Sequence, residues 1–175
     1  MNLNIVPECY FDTVLVKSIL NIKEVNHQQG CDNVMIALRD SKKLKDDFAL
    51  AIIDKDKREL GYIKDNFTLV SDRKNLVLLK HKDKHHFVIQ LVPAIEQWIL
   101  NVIDESGLDD LGISTELNEL KKLTKYKYVS ENEDLKRLCR KLINSDIETM
   151  NTLKNWLTYL YKENRKADIN YLTNV

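Results

Sequence analysis

The stretch that decides the fold is Phe48-Ala49-Leu50-Ala51-Ile52-Ile53-Asp54-Lys55-Asp56-Lys57. Its first six residues are apolar without a break, which predicts a strand buried on both faces of a sheet. Asp54 and Asp56 follow two residues apart, and that spacing places both side chains on the same side of an extended chain. Carboxylate oxygens are the ligands that hard cations such as Mg²⁺ prefer. The stretch therefore predicts a central strand with a metal site at its carboxyl end.

Strands and helices alternate over residues 1–105. We expect strands at 3–6, 48–53, 75–79 and 87–92, a weak one at 25–27, helices at 8–22, 32–38 and from Pro93 onward, and a loop with a short helix over 58–68. Asp32 is expected to cap its helix, and Pro93 suits a first helical turn because it lacks an N–H group. This alternation predicts an α/β domain with a largely parallel sheet flanked by helices.

The pattern changes beyond Gly107, where helical periodicity replaces the strands. Helices are predicted at 115–124, 133–144 and 146–163. We interpret residues 106–175 as a helical C-terminal appendage, and its ~70 residues are too few to be stable unless they pack on the α/β domain.

The composition limits the class of protein only loosely. Lys and Arg together number 27, as do Asp and Glu, so net charge favours no kind of partner. The three cysteines form no C-x-x-C pair, which predicts free thiols in a reducing cytosol. Residues 1–20 lack the pattern of a signal peptide, and no apolar run approaches the ~20 residues of a membrane span. We expect a cytoplasmic protein that does not enter a membrane.

Further carboxylates stand where they can join the two aspartates. Glu8 and Asp12 follow the first strand, and Glu96 lies near the start of the helix after the last strand. Because the carboxyl ends of parallel strands share one edge of a sheet, these groups are expected to gather there. A simpler alternative is that Glu8, Asp12 and Glu96 only stabilise helix N-termini and that the two aspartates only solvate a strand end.

Three motifs carry a resemblance to a known family. They are Glu8-Cys9-Tyr10-Phe11-Asp12, Asp54-Lys55-Asp56 and Pro93-Ala94-Ile95-Glu96-Gln97-Trp98. In order and spacing, residues 1–105 resemble the topoisomerase–primase (TOPRIM) fold, and more closely the small stand-alone TOPRIM proteins related to the overcoming-lysogenization-defect nucleases. Their first motif usually runs Glu-Gly-x-x-(Glu/Asp), so Cys9 is a departure. We expect its side chain to restrict the approach of a phosphate or metal to the backbone, which puts catalysis in question more than fold.

The resemblance implies a bacterial nuclease that cleaves phosphodiester bonds in DNA or RNA with Mg²⁺, or with Mn²⁺ in its place. It further implies a role in anti-phage defence beside a separate ATPase or sensor subunit. The residues assigned to catalysis are Glu8, Asp54, Asp56 and Glu96, and those assigned to the metal are Glu8, Asp12, Asp54 and Asp56. The metal would lower the pKa of an attacking water, and Glu8 or Glu96 would serve as general base.

Basic residues supply candidate contacts to nucleic acid. Lys55 and Lys57 stand beside the carboxylates and would meet phosphates as point charges. Lys82 and Lys84 belong to the connection 80–86, which is predicted to be exposed and to touch nucleic acid. A zinc site at the three histidines of that connection is the weaker interpretation, since no cysteine is near.

Two rival interpretations remain open at this stage. The chain can be a non-catalytic TOPRIM-like binding or regulatory subunit of a larger complex, or an unrelated α/β interaction domain. It carries no P-loop, so any ATPase must be a separate protein. The sequence leaves the oligomeric state open, homo-oligomers included.

Overall fold

The computed structural model of the protein describes residues 4–55, 60–108, 113–124 and 132–175. The strands are β1 Ile5–Pro7, β2 Ala49–Asp54, β3 Phe67–Arg73, β4 Leu76–His81 and β5 His86–Leu91. The α-helices are α1 Tyr10–Leu20, α2 Cys31–Asp40, α3 Gly61–Asn66, α4 Ile95–Ser106, α5 Leu117–Thr124, α6 Glu133–Asn144, α7 Glu148–Glu163 and α8 Ile169–Asn174. A short 3₁₀ turn, Asn164–Lys166, joins the last two helices.

The strands form one mixed sheet in the order β1-β2-β5-β4-β3. β1, β2 and β5 are parallel, whereas β4 runs antiparallel to both β5 and β3. The predicted α/β class is confirmed. The sheet is less parallel than expected, because the β3–β4 hairpin adds two antiparallel strands at one edge. In register, Ile52 of β2 lies between Pro7 of β1 and Ile89 of β5, so the three parallel strands end at one edge.

β2 is buried on both faces, as its apolar run predicts. It is the middle one of the three parallel strands, whereas the centre of the whole sheet, where β2 was expected, is β5. Leu50 and Ile52 belong to a hydrophobic cluster that also holds buried residues of α1, α4, α6 and α7. Ala51 and Ile53 point into a second cluster, which α2 and Ile63 of α3 complete. The sheet therefore lies between two layers of helices. These layers cover β2, and the chain leaves them only at the end of that strand.

Strand β3 is a correction to the predicted loop over 58–68. The short helix expected there is α3, but the chain enters a strand at Phe67. The residues of β3 do not show the pattern of a buried strand, because β3 lies at the edge of the sheet and only its first residue, Phe67, is buried. Its antiparallel pairing with β4 stabilises it. Lys74, with φ 48°, turns the hairpin, and the register shifts between Leu69 and Ser71.

Two helix starts also differ from expectation. Gly30 is the N-cap of α2, at φ +88°, a conformation that glycine adopts without strain, so Asp32 lies in the first turn and does not cap it. Helix α4 begins at Ile95 with Ala94 as its extended N-cap, so Pro93 precedes the helix. The weak strand expected at 25–27 is a bridge at Val25, whose neighbours Asn26 and Gln28 donate backbone hydrogen bonds to β1.

The C-terminal helices contact helices α1 and α4 and the edge strand β3. Among the described residues no strand follows Ser114, as predicted. α6 and α7 contact α1, and their buried residues Leu138 and Trp156 belong to the same hydrophobic cluster as Ile5 and Leu50. A division into two units at residue 105 stays a prediction. In the part of the chain that the structure describes, no helix has the length and apolar character needed to cross a bilayer.

The β4–β5 turn contradicts its predicted exposure at two histidines. His81 and His86 are only 4% and 0% exposed, and their rings lie 5.8 Å apart. His81 Nδ1 accepts hydrogen bonds from the backbone N–H groups of Asp83 and Lys84, and His86 Nε2 contacts the Leu44 carbonyl oxygen. Over the described ranges no group of three side chains is placed to hold a metal, so nothing supports zinc here.

These histidines make a prediction about acid stability. Burial, the neighbouring His86 and Lys84 lower the pKa of His81 from 6.5 to about 4. The unfolded chain takes up a proton near pH 6.5 but the folded one only near pH 4, so stability should fall as pH drops between these values. We expect His81→Asn, which keeps an acceptor for the turn, to reduce that loss of melting temperature. His85→Asn, a change at an exposed histidine, should leave it unaltered. If the melting temperatures of both variants and of the wild type fall equally as pH drops, the prediction is wrong.

Candidate functional site

Glu8 and Asp54 meet at the carboxyl edge of the parallel strands. The backbone N–H of Glu8 donates to the Ile52 carbonyl oxygen at 3.0 Å. Glu8 Oε2 accepts hydrogen bonds from the Asp54 backbone N–H at 2.9 Å and from the Cys31 thiol at 2.8 Å. The ends of β1 and β2 and the first residue of α2 thus fix the orientation of the Glu8 carboxylate.

Asp12 forms a capping box with Cys9 at the start of α1. Its Oδ2 accepts from the Cys9 backbone N–H at 3.1 Å, and Cys9 Sγ accepts from the Asp12 N–H at 3.3 Å. Cys9 has φ −119° and ψ 172°, an extended conformation open to any residue, so the backbone here does not require the glycine that the family usually has. The Asp12 side chain is fully buried, and its Oδ1 has no hydrogen-bond partner.

The charges of these residues act on one another. Burial raises the pKa of Asp12 well above its ordinary value, and the charges of Asp54 and Glu8 raise it further. Burial raises the pKa of the Cys139 thiol in α6 to about 12, and the charge of Asp12 contributes a smaller part of that rise. Glu8, Asp12 and Asp54 therefore form one acidic cluster, with Asp12 enclosed beneath the C-terminal helices. A proton or a cation at Asp12 would relieve this repulsion.

Glu96 lies in the first turn of α4 and is 7% exposed. Its Oε1 accepts a hydrogen bond of 2.8 Å from the Thr124 hydroxyl in α5. Glu8, Asp54 and Glu96 all line one cavity of about 440 Å³, which we call the acidic cavity. The other described residues of its lining are Cys9, Tyr10, His27, Gln29, Gly30, Cys31, Ala94, Ile95 and Thr124. The structure thus brings three of the four predicted catalytic residues to one cavity.

A second cavity of about 450 Å³ adjoins the first, with Asp54 and Cys31 lining both. We call it the lysine cavity, because Lys55 and Lys64 line it. Lys55 was predicted to contact phosphates, whereas Lys64 was not.

The remaining predicted residues do not join these cavities. Asp12 is buried outside the described lining of both. Lys82 and Lys84 lie just before β5, whose first residue pairs with Ala49, so they occupy the opposite edge of the sheet. Asp56 and Lys57 lie outside the described residues.

The site's donor chemistry fits a hard cation in part. Glu8, Asp12 and Asp54 offer carboxylate oxygens, and the buried Oδ1 of Asp12 lacks a donor that would otherwise satisfy it. Within residues 4–55, 60–108, 113–124 and 132–175, however, no three acidic, histidine or cysteine side chains are arranged as a ligand set.

Comparison with protein-family models, with curated proteins and with solved structures finds no match to this chain. The TOPRIM resemblance therefore stays a prediction that rests on the three motifs.

Several residues of the site gave no sequence signal. The Cys31 thiol reaches Glu8 across 23 positions of the chain, and Thr124 reaches Glu96 across 28. Single cysteines and threonines far from any motif carry no pattern. Tyr10 stood inside the first motif, but its stacking on His27 depends on how the chain folds back after α1.

Asp12 allows a direct test of the acidic cluster. We expect Asp12→Asn to raise the melting temperature at pH 7 in chelator by roughly 2–12 °C, because the neutral amide keeps an acceptor for the Cys9 N–H and removes a charge that burial, Asp54 and Glu8 destabilise. A gain of about 1–3 kcal/mol is assumed, and each kcal/mol moves the melting point about 2–4 °C. The raised pKa means that folding favours the protonated acid, so wild type should lose stability as pH rises above 3.8 and the gap should widen. Asp65→Asn, at an exposed position, is the control. A variant no more stable than wild type at pH 7 contradicts the prediction.

Proposed function

We propose that the protein is a Mg²⁺-dependent, TOPRIM-type nuclease that hydrolyses phosphodiester bonds in DNA or RNA. The observation that carries the proposal is the convergence of Glu8, Asp54 and Glu96 on one cavity at the carboxyl edge of the parallel strands. Such edges are where α/β sheets place their ligand sites. Burial and the charges of Asp54 and Glu8 raise the pKa of the Asp12 carboxyl behind this edge, and a nearby cation would favour its ionised form.

Each residue then has a role that follows from its position. Glu8 and Asp54, which line the acidic cavity, would hold the cation, with Asp12 buried behind them. The cation would supply charge neutralisation at the scissile phosphate and a more acidic attacking water. Glu96, whose Oε1 is fixed by Thr124, would accept the proton of that water. Lys55 and Lys64 would contact phosphates from the lysine cavity.

The biological setting of this proposal comes from the resemblance alone. The small TOPRIM proteins that the three motifs resemble imply a cytoplasmic, bacterial enzyme in anti-phage defence. A separate ATPase or sensor subunit would supply any nucleotide-driven step.

A second candidate is a non-catalytic TOPRIM-like binding or regulatory subunit. Two observations favour it. The Glu8 carboxylate already accepts a hydrogen bond from the Cys31 thiol, and the described residues hold no set of three side chains arranged around a metal.

One experiment separates the two candidates. The purified protein is incubated with labelled single- and double-stranded DNA and RNA in Mg²⁺, in Mn²⁺ and in chelator, and Mn²⁺ binding is measured by calorimetry. The nuclease requires cleavage that appears with the cation and disappears with chelator. Absence of both cleavage and Mn²⁺ binding would replace it with the non-catalytic subunit.

A further inference from the structure

Two stacked aromatic rings form part of the wall of the acidic cavity. Tyr10, the first residue of α1, and His27 lie with ring centroids 4.5 Å apart and planes inclined by 22°. Both side chains are half-buried, and both line the cavity with Glu8 and Asp54. The proposed cleavage assigns neither ring a task.

A hydrogen-bond chain fixes the His27 ring. The Thr13 hydroxyl donates to the Cys9 carbonyl oxygen at 2.9 Å, so its lone pair faces His27 Nδ1 at 3.0 Å. This network assigns the ring hydrogen to Nδ1 and leaves Nε2 as an acceptor, a buried atom with no partner. Burial also lowers the pKa of His27, so the ring is uncharged at neutral pH. The two rings thus form an uncharged, stacked pair in the cavity wall, in which Thr13 fixes the His27 ring.

The charges around the Tyr10 and His27 rings determine which chemical groups can bind against them. The described lining of the acidic cavity contains three carboxylates and no lysine or arginine, so a phosphate group without a cation is repelled there. A neutral aromatic group meets no such barrier, and a cavity of about 440 Å³ lies in the range of small-ligand sites. The adjoining lysine cavity differs in that its lining carries the ammonium groups of Lys55 and Lys64 beside the carboxylates of Asp54 and Asp72, so cationic contacts for phosphates are present there.

We propose that the Tyr10–His27 pair is a stacking platform for a nucleobase and that the substrate is single-stranded nucleic acid. In a duplex, both faces of each base are covered by its neighbours, so only an unpaired base can stack on a protein ring. The base would lie in the acidic cavity while the adjoining phosphates face the lysine cavity. This inference rests on the proposed function for the position of the scissile bond and adds the class of substrate.

The test measures binding apart from cleavage. The full chain, with Ca²⁺ in place of Mg²⁺, is titrated into a short DNA strand carrying a fluorescent adenine analogue whose emission falls on stacking, and into the matching duplex. We expect quenching with the single strand alone, and a loss of affinity of about tenfold or more in Tyr10→Ala. Tyr10→Phe keeps the ring and should retain the affinity. Tyr171→Ala is the matched control, because it removes a ring from a stacked pair outside the cavity lining, Tyr159–Tyr171.

The outcomes separate the platform from the nuclease. Unchanged affinity in Tyr10→Ala would overturn the platform, and equal binding of duplex would overturn the single-stranded substrate. Competition by adenosine monophosphate at the strand's own concentration would also overturn that substrate, because it would reveal a free-nucleotide site. Single-strand quenching that Tyr10→Ala removes supports it even where Mg²⁺ gives no cleavage and the nuclease fails. Cleavage that treats single strands and duplexes alike leaves the nuclease and removes the platform. If Tyr10→Ala does not fold by thermal melting, His27→Ala carries the same expectation.

Discussion

Replacing Asp54 with asparagine is expected to lower cation-dependent phosphodiester cleavage by at least about 100-fold. The reason is that groups which only orient metal ligands are worth about 10- to 100-fold, and Asp54 would be a ligand itself. Its side chain borders both cavities, so removing its charge weakens cation binding where the phosphate must lie. Rates with Mg²⁺ and Mn²⁺ over a range of cation concentrations measure the effect.

The control is Asp83→Asn, a like change at an exposed aspartate on the opposite edge of the sheet. It should cleave at the wild-type rate. Both variants should melt within a few degrees of wild type, so that a loss of activity cannot be a loss of fold. Equal cleavage by Asp54→Asn and wild type would remove Asp54 from the site and the metal mechanism with it.

Replacing Trp156 with alanine is expected to lower the free energy of unfolding by about 3–5 kcal/mol, the usual cost of truncating a fully buried tryptophan. Trp156 is 0% exposed in α7, and its Nε1–H donates to the Leu172 carbonyl oxygen at 3.1 Å. It belongs to the hydrophobic cluster that also holds Leu50 of β2. Urea unfolding followed by circular dichroism measures the loss.

Because residues 1–105 and 106–175 each contain one tryptophan, urea unfolding can also test whether the two parts unfold together. Trp156→Phe leaves Trp98 of α4 as the sole reporter of the α/β part, and Trp98→Phe leaves Trp156 to report on the C-terminal helices. A shared core predicts that fluorescence and circular dichroism give one coincident transition in each variant. If Trp156 reports unfolding at lower urea than Trp98 does, the helices are a separate cooperative unit and the expected global loss is wrong.

The sequence predicted best those strands and helices whose residue pattern depends on the element itself and not on its neighbours in space. The apolar run ending at Ile53 marked β2, and the helix predicted at 133–144 has the bounds of α6. The meeting of Glu8 and Asp54 was foreseeable as well, because parallel strands bring their carboxyl ends together whatever the loops between them do.

What escaped prediction depends on contacts between distant parts of the chain. β3 is stable as a strand because β4 pairs with it, and its own residues do not alternate clearly enough to reveal that. The capping of α1 by Cys9 depends on a thiol acting as an acceptor, a weak role that sequence rules assign to serine, threonine, asparagine or aspartate. Burial of His81 and His86 follows from the hairpin's packing, which a basic, polar sequence concealed.

The hydrogen bond from Thr124 to Glu96 has a consequence for communication through the molecule. A cation, proton or water that takes the Glu96 carboxylate competes with the Thr124 hydroxyl, so occupancy of the cavity and the docking of α5 are thermodynamically linked. The linkage is reciprocal: a protein that binds α5 and draws Thr124 away would change the affinity of the cavity for its ligand by the same factor. A molecule bound at α5 would in this way alter how tightly the acidic cavity holds its ligand.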